Sequence, residues 1–184
     1  MYRNRLLSLA LIVGLGLFFR TATAQTGSQP QQDPHDPSAM HNMEMGERHY
    51  DQVNKRGDVA MGFSHMKTRH HFRLSPSGGS IEVQADDPND TASRDQIRRH
   101  LEQLPQAFKE GNFSAPMETH GRVPPGVPTM QQLRSQINYQ YVQTKRGGKV
   151  LISTADPKAL EAVHQFLRFQ IQDHRTGDPA NITK

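Results

Sequence analysis

The 184-residue chain contains no cysteine and no tryptophan. Without cysteine there is no disulfide, no thiolate metal site and no cysteine nucleophile, so the fold has to be held by its core or by a ligand. A nucleophile elbow, a phosphate-binding loop and an HExxH pair are also missing, which removes the usual signatures of hydrolases, nucleotide binders and zinc peptidases. Acidic residues are absent from the first 24 positions, and the one long apolar run lies there. Arg3 and Arg5 precede that run, Leu6 to Phe19, and Ala22-Thr23-Ala24 follows as a small-residue cleavage site. The pattern is that of a secretory signal peptide, residues 1–24, with the run too short for a comfortable membrane span. Its removal takes away three arginines and no acid, so the formal charge falls from +4 to about +1. The high pI is therefore no sign of a nucleic-acid partner. With no cysteine to carry a lipid, a periplasmic or secreted protein without a membrane span is expected.

What the chain does have is histidine and methionine, ten of one and eight of the other. The densest stretch, MGFSHMKTRHHFR from Met61 to Arg73, holds His65, His70 and His71 with Met61 and Met66. Imidazole is the commonest neutral metal ligand, and thioether is a soft one that favours Cu(I). Read as a strand, the segment sorts by parity: His70, Phe72 and Leu74 share a dry face, while His65 and His71 share the wet one. The plainer reading is one boundary histidine and two solvated ones. A second run, MHNMEM from Met40 to Met45, repeats the chemistry inside residues 25–58. That segment is rich in Gln, Pro, Asp and Ser without apolar periodicity and reads as a disordered tail.

From Thr68 a β-hairpin is expected, with His70–Leu74 pairing across SPSGG with Ser80–Ala85. DDPNDTAS then starts a helix, with Asp90 or Thr91 as its N-cap and Ile97, Leu101, Leu104 and Phe108 as its apolar stripe; Pro105 should kink or end it. Residues 111–129, with four prolines and three glycines, read as a long loop in which His120 is solvated. A second hairpin follows, through Ile137, Tyr139 and Tyr141, a KRGG turn and Val150–Thr154. Asp156-Pro157 opens the last helix, which carries Leu160, Val163, Leu167 and Ile171 on one face with His164 and His174 beside it. GGSIEVQADDP from Gly78 aligns with GGKVLISTADP from Gly147 at an offset of 69. The expected fold is therefore α+β, two ββα units forming a four-stranded antiparallel sheet with two helices on one face over residues 59–179, and a short tail at 180–184. Such a layout allows His70, His100, His164 and His174 to converge between sheet and helices.

The stretches GFSHMKTRHHF, DTASRDQIRRHL, PPGVPTM and VHQFLRFQIQDHRTGDP resemble a family of small exported bacterial proteins, over roughly residues 60–179. The resemblance implies a compact exported domain and supplies no activity. An aspartate carbamoyltransferase assignment, attached to some members, has no support in these residues, since no carbamoyl-phosphate loop is present.

The leading functional expectation is a periplasmic metal-binding protein acting in copper sequestration or delivery, with zinc as second choice. The expected ligands are His65, His70, His71, His164 and His174, with Met61 and Met66 as soft auxiliaries; the partner would be the ion and another periplasmic protein. Two other classes remain. One is a binding module without metal, presenting Tyr139, Tyr141 and the PPGVP loop to a ligand or partner. The other is a hydrolytic enzyme with His71 or His174 as base, oriented by Asp173 or Glu82.

Overall fold

The computed structural model describes residues 37–182. The expected signal peptide and the first part of the expected tail, residues 25–36, lie outside the described residues.

Two hairpins form one antiparallel sheet in the order β1-β2-β4-β3. Strands β1 (Thr68–Ser75) and β2 (Gly78–Ala85) make the first hairpin; β3 (Ile137–Thr144) and β4 (Gly147–Thr154) make the second. The 69-residue offset relates each strand to its counterpart, 68 to 137 and 78 to 147. At the centre of the antiparallel β2–β4 pairing Ile81 lies opposite Val150, its aligned equivalent, while the flanking pairs do not keep that offset. An α+β fold with a four-stranded antiparallel sheet is thus what the alternating apolar residues build.

Each hairpin is followed by a long helix. In α2 (Thr91–Lys109) the Asp90 carboxylate accepts the Ser93 backbone N–H at 2.9 Å; in α5 (Pro157–Asp173) Asp156 accepts that of Ala159 at 2.8 Å. These caps satisfy donors that a helix start leaves free, and Pro157 sits where it has no N–H to lose. Pro105 does not end α2, which runs on four residues because Leu104 and Phe108 stay buried against the sheet. The helices pack crosswise: α2 lies mainly on β3 and β4, and α5 mainly on β1 and β2. Between them and the sheet, Phe72, Leu74, Val83, Val150, Leu101 and Leu167 close one core. The outer sheet face is polar, with Lys149 paired to Glu82 at 2.9 Å.

Two expectations fail. Residues 111–129 are not one loop, since α3 (Ser114–His120) and α4 (Val127–Gln132) occupy much of that stretch. Gly126, at φ +85°, lets α4 lie so close to α5 that an added Cβ would stand 2.1 Å from the Ala162 carbonyl oxygen. Nor is the tail structureless throughout, because α1 spans Pro37–Met61. Its apolar face is thin: Val53 is fully buried, Tyr50 is half-buried and Met61 packs on the core. Gly57 allows α1 to approach Thr119 of α3. Polar clamps complete the docking. Arg56 Nε donates to the Thr119 carbonyl at 3.0 Å, and the Arg175 guanidinium covers the Tyr50 ring at 4.6 Å while binding Glu47 and the Gly46 carbonyl. No helix among the described residues is long and apolar enough to cross a membrane.

Candidate functional site

The histidines divide by parity and by distant partners. His70 points inward from β1, as its position between Thr68 and Phe72 requires. His174 caps the end of α5 and stacks on it, with ring centroids 5.0 Å apart and planes inclined by 13°. His120, at the end of α3, meets His174 edge-on at 5.0 Å, and His100 of α2 lies across Phe63 from His70. Together with Met61 and Gln170 these four imidazoles line a cavity of about 50 Å³ under the apolar core, room for a small ion or one or two waters. Met61, His70 and His174 also form one wall of an outer cleft of about 210 Å³ beneath α1, edged by Tyr50, Arg69 and Arg175. Met61, His70 and His174 thus border both spaces.

Burial decides the charge state. It lowers His70 to about 4, with the nearby imidazoles of His100, His71 and His120 adding to the effect. His100 is lowered to about 4 by burial, and His174 falls well below its usual value through burial and the neighbouring His70 and His120. All three are neutral at pH 7, each with a ring nitrogen lone pair. The Nε2 atom of His70 is buried and has no hydrogen-bond partner. Leaving such an atom unpaired costs about 1–3 kcal/mol, so the position calls for a partner from outside the protein.

A carboxylate hub borders the cavity. Asp173 Oδ2 accepts from His120 Nδ1 at 2.6 Å, while Oδ1 takes His49 of α1 at 2.8 Å and Arg122 at 3.1 Å. Burial would raise this carboxyl, but the bonds from His49 and His120 outweigh it and hold it below its usual value. Asp173 therefore orients His120 and not His174, contrary to the enzyme expectation. His120 itself is enclosed, 2% exposed, and not the solvated loop residue its surroundings suggest.

The other expected ligands are committed elsewhere. His65 pairs with Asp58 at 3.0 Å, beside the end of α1. His71 faces the opposite side of β1, with Nδ1 3.1 Å from Asp178, whose other oxygen caps the Phe72 N–H at the sheet edge. His164, 4% exposed, directs Nε2 at the Ser75 and Gly78 carbonyls, 3.0 Å from each, and ties α5 to the first hairpin. Met66 is 77% exposed and lines neither chamber. Of the expected set, His70, His174 and Met61 come together, and His65, though paired with Asp58, borders the same cleft beneath α1; His71, His164 and Met66 do not join them. Among the described residues, no three His, Asp or Glu side chains converge closely enough to hold an ion as they stand. Tyr139 and Tyr141 do not form an exposed contact surface, since both turn onto the core with their hydroxyls buried.

No protein-family model, no curated protein and no solved structure matches this chain.

Proposed function

We propose that this protein is an exported copper-binding protein, holding one Cu(I) ion where β1, α5 and the end of α1 meet. His70 and His174 supply imidazole nitrogen and Met61 supplies thioether sulfur. The observation that carries the reading is the buried, unpartnered Nε2 of His70, a residue that lines a cavity together with neutral imidazoles and a methionine. Neutral imidazole is the ligating form, and burial secures it without a proton to displace. Cu(I) takes precedence over zinc for a chemical reason. A structural zinc site wants four converging N, O or S⁻ ligands, whereas soft thioether ligation selects Cu(I). His70 and His174 lie nearly parallel, so joint ligation requires one ring to turn about its side-chain bonds. The cleft beneath α1 is the route by which a donor or acceptor protein reaches the ion, in keeping with sequestration or delivery.

Equilibrium dialysis of the whole chain against Cu(I) under anaerobic conditions, and separately against Zn(II), tests this reading. One equivalent of Cu(I), reduced in Met61→Leu while zinc uptake stays low, is expected. Zinc retention that ignores Met61 would overturn the choice of ion.

The stacking of His70 on His174 favours a second reading, a module for a small uncharged ligand that accepts and donates hydrogen bonds to imidazole. It has the same residues and no metal; retention of neither ion in the dialysis favours it.

A further inference from the structure

The two outer strands of the sheet, β1 and β3, present very different edges. In each hairpin a two-residue turn sets its flanking residues as a hydrogen-bonded pair, Ser75 opposite Gly78 and Thr144 opposite Gly147. Alternate residues back along each strand bond the hairpin partner, and those between them turn N–H and C=O to the open edge. On β1 the outward set includes Phe72, whose N–H is accepted by the Asp178 carboxylate at 2.9 Å. The chain after α5 therefore closes that edge, and Arg69 and Arg73 add charge to the strand. On β3 the outward set is Ile137, Tyr139, Tyr141 and Gln143. Ile137 gives its N–H to the Arg134 carbonyl. No backbone group among the described residues pairs with the outward side of Tyr139, Tyr141 or Gln143. Tyr141 is the counterpart of Phe72 at the 69-residue offset, and it lacks the acceptor that Phe72 has. The strand itself, INYQYVQT, carries no charge and no proline, and its register with β4 is unbroken from Ile137 to Thr144. Charge, proline and bulges are the devices that keep exposed edges from pairing, and β3 has none of them.

We propose that β3 is the interface of a twofold dimer, two copies of this chain pairing antiparallel, edge to edge, into one continuous sheet. A second copy fits this edge because a twofold axis brings a strand against itself. A charged strand placed so would repel its twin, and an uncharged one does not. The register that engages Tyr139, Tyr141 and Gln143 together puts the axis at Tyr141. Tyr141 then exchanges both backbone bonds with Tyr141 of the second copy, and Tyr139 does so with Gln143. On the outer sheet face Gln140 comes to lie opposite Val142, which is 37% exposed in the single chain. With the β1 edge closed by Asp178, assembly ends at two copies and does not run on into a fibre.

Sedimentation velocity of the whole chain, without added metal, is expected to show monomer at ~1 µM giving way to dimer by ~100 µM. Gln143→Pro removes an outward N–H and leaves the β4 ladder intact. It should weaken the dimer at least about tenfold while the melting temperature of the dilute variant stays near wild type. The chain has no cysteine of its own, so crosslinking can read the register directly. A mixture of Gln140→Cys and Val142→Cys chains, oxidised with diamide, should yield the mixed covalent dimer ahead of either like pair. A chain that stays monomeric at the higher concentration overturns the proposal. So does a dimer that is indifferent to Gln143→Pro, or one whose crosslinks join like variants.

Discussion

His164 is the residue that separates packing from ligation most cleanly. It lies on α5 two turns before Ile171, is 4% exposed, and shares one N–H between the Ser75 and Gly78 carbonyls on either side of the first hairpin turn. Leucine fills nearly the same volume but donates nothing, so His164→Leu isolates the hydrogen bond from the cavity term. The lost bond is worth about 0.5–1.5 kcal/mol net, and an acceptor left buried without its donor adds about 1–3 kcal/mol. A destabilisation of about 2–3 kcal/mol is expected, against a total of about 5–15 kcal/mol for a domain of this kind. His164→Ala adds an unfilled space and should be worse. In urea the midpoint should fall while the slope stays constant, because the folded state remains as compact. Cu(I) uptake should not change, since His164 does not line the cavity. A His164→Leu variant within about 0.5 kcal/mol of wild type, or one that keeps its stability and loses copper, would refute this account of the residue.

Leu167 is fully buried against the sheet, so Leu167→Ala should cost about 2–5 kcal/mol in denaturant melts while Pro157→Ala stays within about 1 kcal/mol. Gly126→Ala places a methyl against the Ala162 carbonyl at a left-handed φ and should cost at least about 2 kcal/mol, read from the melting temperature. Stability should fall steeply with acid: His70 and His100 stay neutral in the fold down to about 4 but take up protons near 6.5 once unfolded, so each withdraws up to about 3 kcal/mol between pH 6.5 and 4 and nothing above pH 7, a profile that melts at stepped pH will reveal. Arg175, at φ +50°, is strained yet clamps α1; Arg175→Gly should leave the global melt within about 1 kcal/mol while amide exchange quickens across residues 46–61.

The sheet was legible because its determinants are local. Alternation in Ile81, Val83 and Ala85, the GG turns and the two Asp caps each act within a few residues, and they specify hairpin and helix without reference to the rest of the chain. The side on which His70 lies follows from the same parity. What escaped depends on partners far along the chain. His120 looks solvated among prolines until Asp173, 53 positions on, encloses it. His71 and His164 look like ligands until Asp178 and the turn carbonyls claim them, 107 and at least 86 positions away. The helix α1 was hidden for a different reason. Its buried face amounts to Tyr50, Val53 and Met61 in a polar segment, too thin for periodicity to register, and it is fastened by Arg56, His49 and Arg175 to groups that only the fold brings near.

The central claim is that the histidine cavity binds copper, and competition for Cu(I) against a chromophoric chelator, in the whole chain and without oxygen, tests it most directly. Saturable one-to-one binding tighter than about 10 µM, roughly −7 kcal/mol, is expected. His70→Ala and His174→Ala should each weaken it at least about tenfold, and the double variant should lose less than the two combined because both serve one ion. Binding weaker than that limit, or binding that survives both substitutions, would contradict the account.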